Sequence, residues 1–248
     1  MLKAESITKL YENTPVIENV TVTVGDGEQV SLIGASGVGK TTLFHILSGV
    51  TAPDAGHVFL NGEEITATPG KVSYMLQKDL LFIHKTILDN VTLPLTVRGI
   101  KRKEAYERAL PLFETFGLAG YENHYPNQLS GGMRQRAALL RTYLFSGNTL
   151  LLDEPFSALD AITKSELHRW YLEVAEKMGF STFFITHDIE EAIRLSDRIY
   201  VLAGSPGRIV GEVCIQEQKP RETEFLTSKE FGAYKRKLLE MLAIDQSM

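Results

Sequence analysis

Apolar and polar residues alternate through Val20 to Val24 and again from Glu28 into Gly34, the period of two that predicts strands. Gly25, Asp26 and Gly27 supply turn chemistry between the two runs. The first 33 residues therefore read as an antiparallel β edge leading into a buried strand. After Gly34 a glycine-rich stretch passes into Thr42 to Val50, where apolar residues recur at helical spacing until Gly49 and Pro53 stop them. Residues 56–62 and 72–76 read as two more short strands. From 86 to 146 the pattern turns helical, clearest over 101–118, with Gly117 near the end. Strand signals return at 149–155, 181–187 and 197–204, separated by helical periodicity over 162–179 and 188–196. Strands alternating with helices predict an α/β fold with a mainly parallel sheet covered on both faces. No repeat or low-complexity tract interrupts the chain, and a charged amphipathic helix is expected after Pro220.

Composition narrows the class. At 248 residues the chain has room for one elaborated domain or two small ones, taking about 150 residues per domain. Hydrophobic residues make up 44% and charged residues 23%, enough apolar surface to bury a sizeable core. The formal net charge of −5 provides no large basic field, which argues against nucleic acid as the main partner. Cys214 is the single cysteine; it excludes an internal disulfide and is expected as a small buried apolar residue. The segment from Met1 to Leu10 lacks the apolar centre of a signal peptide, and no apolar run approaches the roughly 18 residues of a membrane span. Any membrane role is expected to come through a partner.

Three constellations carry candidate chemistry. Gly34-Ala35-Ser36-Gly37-Val38-Gly39-Lys40-Thr41 matches the phosphate-loop pattern between a predicted strand and helix. Its glycines permit positive φ, so that successive backbone N–H groups converge on phosphate oxygens at a helix N-terminus. Lys40 adds a charge for the β and γ phosphates, and the Thr41 hydroxyl is placed to ligate Mg²⁺. Leu150 to Glu154 forms an apolar strand ending in two acids, where ligands bind in open α/β sheets. Asp153 is expected to hold Mg²⁺, and Glu154 to accept a proton from, or orient, the water attacking a γ-phosphate. Taken alone, two acids after an apolar strand more often cap a helix or sit in a solvated turn; paired with the phosphate loop, the balance reverses. Ser130, Gly131 and Gly132 open a further helix; plain capping by Ser130 and a second anion cradle both fit these residues.

Together these motifs resemble the ATP-binding subunit of an ABC transporter, a P-loop NTPase, from Tyr11 to about Ile215. The resemblance implies an N-terminal antiparallel β subdomain, a central mainly parallel sheet flanked by helices, and a helical insertion at about 86–146. It implies an ABC domain over 1–216 with a short charged helical tail over 217–248. It identifies Leu129-Ser130-Gly131-Gly132 as the signature that closes over ATP held by the phosphate loop of a second subunit, most simply a second copy. By the same resemblance Gln77 matches the Q-loop and joins Thr41 and Asp153 as a Mg²⁺ ligand. Pro155 to Asp160, including Ala158, continue into the D-loop; His187 matches the switch histidine that acts with Glu154 in hydrolysis. Tyr11 matches the aromatic that stacks on adenine, and Thr42 joins the ATP-binding set. Met133 stands where the consensus signature has Gln, and Leu81 to Thr86 depart from the text of the subfamily. The stretches Asp153 to Ala161, Thr186 to Ala192 and Gly204 to Ile209 resemble importers of the nitrate, sulfonate, taurine and thiamine-precursor group.

That resemblance implies ATP hydrolysis with ATP and Mg²⁺, a peripheral place on the cytoplasmic face of the membrane, transmembrane permease subunits as partners and an extracytoplasmic solute-binding protein indirectly. Leu80 to Ile83 form an apolar run beside Gln77 that suits either a docked permease helix or buried core. A kinase or small GTPase would share Lys40 and Thr41 without needing Ser130 to Gly132 or His187. A soluble ABC-type mechanical ATPase would share every motif and is expected to carry a long coiled coil or a second motif set.

Overall fold

The computed structural model describes residues 1–146, 148–157, 159–221 and 223–243. The chain opens with strands β1 (Leu2–Tyr11) and β2 (Thr14–Val24), then β3 (Gln29–Ile33), helix α1 (Lys40–Leu47), and strands β4 (Ala55–Leu60), β5 (Glu63–Glu64) and β6 (Ser73–Met75). Helices α2 (Ile87–Val97), α3 (Arg102–Thr115) and α4 (Gly131–Ser146) separate β6 from β7 (Thr149–Asp153). Then follow α5 (Ala161–Met178), β8 (Ser181–Ile185), α6 (Ile189–Leu195), β9 (Arg198–Ala203), β10 (Arg208–Cys214), α7 (Thr223–Leu226) and α8 (Lys229–Ala243).

Two sheets divide the strands. One is antiparallel in the order β2-β1-β4-β5; the other runs β10-β9-β3-β8-β7-β6, parallel from β9 to β6 with β10 antiparallel at its edge. The α/β architecture with an antiparallel subdomain is thus as the sequence implies. The turn at Gly25 to Gly27 joins the two sheets rather than closing a hairpin.

Strand alternation explains how one strand feeds two cores. Leu150 and Leu152 pack with Phe113, Phe116, Leu140, Trp170 and Phe184 beneath the helices, whereas Leu151 faces Phe44, Phe183 and the antiparallel sheet. A third cluster lies under α8, where Phe231 and Leu238 meet Ile193, Val201 and Val213. Cys214 corrects the expectation of burial: it is exposed. The reason is its phase on β10, because Val213 and Ile215 take the inward positions on either side of it.

Phe116 is fully buried, with its ring 6.1 Å from Trp170 and 5.8 Å from Tyr143. Phe116→Ala is expected to cost about 3–5 kcal/mol of unfolding free energy in urea denaturation, and a loss under about 1 kcal/mol would mean that the site refills.

The register fixes where chemistry can sit. Leu32 pairs with Ile185 and Ile185 with Asp153, so the carboxyl ends of β3, β8 and β7 lie side by side. Everything that follows those three residues emerges at one edge of the sheet.

Candidate functional site

The loop from Gly34 to Gly39 runs between β3 and α1 against neighbouring backbone. A Cβ on Gly34 would lie 2.3 Å from the Leu202 carbonyl oxygen. Gly39 has φ 106°, and a Cβ there would meet Ile17 Cγ2 at 2.4 Å. No side chain fits either place, so these glycines are required by the close approach. Lys40 folds its ammonium back into the loop, donating to the Gly34 and Ala35 carbonyls at 2.9 and 2.7 Å. Burial pushes its pKa down, while the charges of Glu154 and Asp153 pull the other way. Beside it opens a cavity of about 220 Å³, lined by Ser36, Gly37, Thr41, Thr42, Asp153 and Glu154. An anion entering it meets a partly desolvated cation, where Coulomb attraction is stronger than in water.

Asp153 ends β7. Burial raises its carboxyl above the usual range, against the Tyr74 hydroxyl, which donates to Oδ2 at 3.1 Å. Glu154 follows at φ 45°, in the left-handed region, and its amide donates to the Ile185 carbonyl at 3.0 Å. Its carboxylate accepts from Gln77 Nε2 at 3.0 Å and lies 3.1 Å from His187 Nδ1. The parallel neighbours β6, β7 and β8 deliver Gln77, Glu154 and His187 to the same edge. These three and Gly131 line a second cavity of about 770 Å³ with Asp79 and Arg134. Glu154 belongs to the lining of both cavities.

Ser130 Oγ accepts from the Met133 amide at 3.3 Å, so it does cap α4. Gly131 and Gly132 press that helix start against Leu159 and Thr163, where a Cβ would come within 3.2 and 3.3 Å. Among the described residues, none of Ser130 to Gly132 lines the phosphate-loop cavity. Tyr11 also stays outside that lining: it is exposed at the end of β1, with Lys9 Nζ 5.5 Å from its ring centre, while Val16 of the same hairpin reaches the cavity. Ala158 lies outside the described residues.

A family profile described as "ABC transporter" matches residues 17–157. The chain is 42% identical over 225 residues to the formylaminopyrimidine import ATP-binding protein ThiZ of Halalkalibacterium halodurans, covering 90% of this chain and 88% of ThiZ. The chain belongs to the ABC transporter ATP-binding family. As an ABC ATPase it binds and hydrolyses ATP. It is also 42% identical over 209 residues to the sulfate/thiosulfate import ATP-binding protein CysA 1 of Rhizobium meliloti, covering 82% of this chain and 60% of CysA 1. Among solved structures, the dimeric ATP-binding cassette MJ0796 in a post-hydrolysis state with ADP and Pi matches with a TM-score of 0.73 and 30% identity, covering 88% of this chain and all of that one.

The ABC cassette carries donors that suit Mg²⁺, which takes oxygen ligands and keeps several waters. Thr41 and Asp153 line one cavity, offering it a hydroxyl and a carboxylate, whereas Gln77 lines the adjoining cavity, its Nε2 donating to Glu154. Sequence reasoning missed several residues that build this cassette's site. Tyr74 braces Asp153, and Asn90 and Arg141 fix the chain after Gln77. Asn90 is fully buried; its Oδ1 accepts from the Phe82 amide at 2.7 Å, and its Nδ2 donates to the carbonyls of Phe82, Lys85 and Thr86 at 3.1, 3.2 and 2.9 Å. Arg141 donates to the Leu80 and Asp79 carbonyls at 2.9 and 2.5 Å. A polar residue on the apolar stripe of α2 was the one available signal for Asn90.

Proposed function

We propose that the chain is the ATP-binding and hydrolysing subunit of an ABC importer, energising uptake of a small solute such as nitrate, sulfonate, taurine or a thiamine precursor. The import direction is supported by the names of the relatives ThiZ and CysA 1. The observation that carries the mechanism is the place of Glu154, in the wall of both the phosphate-loop cavity and the groove beside Gln77.

ATP phosphates lie along the Gly34 to Gly39 backbone, with Ala35, Ser36, Val38 and Thr42 completing the cradle. Lys40 exchanges its two carbonyl partners for phosphate oxygens. Tyr11, exposed, stacks on adenine. Thr41, Asp153 and Gln77 would hold Mg²⁺, which when bound neutralises phosphate charge. Glu154 orients or deprotonates the attacking water, and His187 contacts the γ-phosphate from the far side of that carboxylate. Ser130, Gly131 and Gly132 lie outside the lining of the phosphate-loop cavity, which supports their being supplied by a second copy. The dimeric form of the relative MJ0796 accords with that arrangement.

No described helix is long and apolar enough to cross a membrane. The subunit sits peripherally on the cytoplasmic face and meets permease subunits, with an extracytoplasmic solute-binding protein beyond them. Of the apolar run after Gln77, Leu81 is 7% exposed, whereas Leu80, Phe82 and Ile83 are 52%, 43% and 76% exposed. The buried-core reading therefore holds for Leu81 alone, and the other three offer a permease helix an apolar seat.

In vesicles containing permease, binding protein and this subunit, ATP is expected to drive solute accumulation on the face opposite the binding protein. Phe82→Asp should abolish that accumulation while the isolated subunit still binds and hydrolyses ATP. Extrusion independent of a binding protein would overturn the importer reading, and uptake undiminished by Phe82→Asp would overturn the docking surface.

A further inference from the structure

Behind His187 lies a charged cluster, buried at Glu191 and His168 and half-buried at Lys164 and Asp188, that the mechanism above leaves unused. Glu191 on α6 and His168 on α5 are 4% exposed, with His168 Nε2 2.9 Å from Glu191 Oε1. Lys164, one turn before His168 on α5, donates to Asp188 Oδ2 at 2.7 Å and lies 3.1 Å from Glu191 Oε1. Asp188 caps α6, its Oδ1 accepting from the amides of Glu190 and Glu191 at 3.0 and 3.2 Å. Thr186 bonds at both ends of this arrangement: its Oγ1 accepts from the Asp188 amide at 3.0 Å, and its hydroxyl donates to the Glu191 carboxylate.

His187 is the residue between Thr186 and Asp188, and both of its neighbours are held by this cluster. The ring of His187 is itself exposed; Glu154, 3.1 Å away, is the partner on its own side. The cluster also touches the segment after Glu154, since the Phe156 ring packs edge-on against His168 with centres 4.8 Å apart. Burial pushes the Glu191 carboxyl up, yet hydrogen bonds from His168 and Thr186 and the charge of Lys164 outweigh it and leave it below the usual range. A buried carboxylate held ionised in this way costs desolvation that apolar side chains of the same volume would avoid. Plain packing of α5 on α6 therefore does not call for it.

We propose that Lys164 is a positioning residue for ATP hydrolysis, which through Asp188 and Glu191 fixes the turn carrying His187 against the start of α5. The inference rests on the reading of His187 as the γ-phosphate contact. Lys164 touches no reacting atom in this arrangement; it neutralises two carboxylates that would otherwise repel one another across the base of the turn. Without it, the Asp188 end of the turn loses its link to α5 while the His168–Glu191 contact remains, and His187 samples positions away from Glu154.

The test is Lys164→Met in the full chain, which keeps the aliphatic stem and removes the charge, with Lys164→Arg as the conservative variant. Amide exchange by mass spectrometry is expected to speed up over the peptide spanning 186–191 and to stay unchanged elsewhere. The kcat for ATP should fall between about tenfold and about a hundredfold, the scale of misplacing a catalytic group by about an ångström. KM for ATP should stay within about twofold because the phosphate loop is untouched. Lys164→Arg should restore both exchange and kcat. Should Lys164→Met prove poorly folded, Glu191→Gln, which leaves a hydrogen-bonding group of the same shape against His168, is expected to show the same split of kcat from KM. Unchanged exchange at 186–191, or a loss of kcat that Lys164→Arg does not restore, would overturn the proposal. Faster exchange with wild-type kcat would overturn it too, and His187→Ala in the same assay then tells which reading failed. A wild-type rate for His187→Ala would place the error in the role of His187, and a slow one would place it in the link from Lys164.

Discussion

Glu154→Gln is expected to bind ATP with wild-type affinity and to hydrolyse it about 10²- to 10⁴-fold more slowly, the range contributed by a positioned general base. The substitution is close to isosteric. Its amide oxygen can still accept from Gln77 Nε2, so the 3.0 Å contact that ties Gln77 to the end of β7 can persist. What disappears is the basic oxygen beside His187. ATP held without turnover should then accumulate the closed dimer, visible as a shift to dimer mass in light scattering with ATP and absent with ADP. Turnover at the wild-type rate would remove Glu154 from its role and send the search for the base elsewhere in the two cavities.

The second large effect concerns two chains at once. Lys40→Ala removes a charge-assisted phosphate contact of roughly 1.5 to 3 kcal/mol, about one to two orders of magnitude in Kd. The loss of affinity is the direct readout, by titration with a fluorescent nucleotide. Ser130→Arg should leave that affinity intact in the monomer, because Ser130 is exposed and lies outside the phosphate-loop cavity. It places a bulky cation where the second copy's nucleotide must approach. Mixed together, the two variants form one interface in which an intact phosphate loop faces an intact signature. ATP-driven dimers should appear in the mixture and in neither variant alone. Their absence under conditions where the wild type dimerises would count against a site shared between copies.

Much of this site could be read from the chain because its parts are local. A phosphate loop is eight consecutive residues with a strand before and a helix after, and the structure places Gly34 to Gly39 between β3 and α1, with Lys40 and Thr41 opening that helix. Glu154 and His187 each follow an apolar strand, so the parallel register that brings them together is a consequence of strand order. Residues held by tertiary contacts were harder to see. Tyr74 looks like any strand aromatic until Asp153 is found above it, and Arg141 looks like a surface charge on α4 until its carbonyl partners appear. Strand β10 escaped because Gly211 breaks its alternation at a bulge between Ile209 and Gly211, and β5 because two residues carry no period. Cys214 was misjudged from residue type, since only its phase between Val213 and Ile215 decides which way it points. The Lys164 cluster joins α5 to the turn before α6, contacts between segments that no spacing along the chain announces.

The buried amide of Asn90 has a consequence for how a partner is met. A chain segment that is mobile until docking must give up conformational freedom when the partner arrives, at about 1–2 kcal/mol for each backbone residue fixed. With four hydrogen bonds from Asn90 and two from Arg141, the stretch from Asp79 to Thr86 has surrendered that entropy during folding. For the proposed docking of a permease helix, contact energy gained at Leu80, Phe82 and Ile83 is then free to appear as affinity, in place of being spent on ordering the segment.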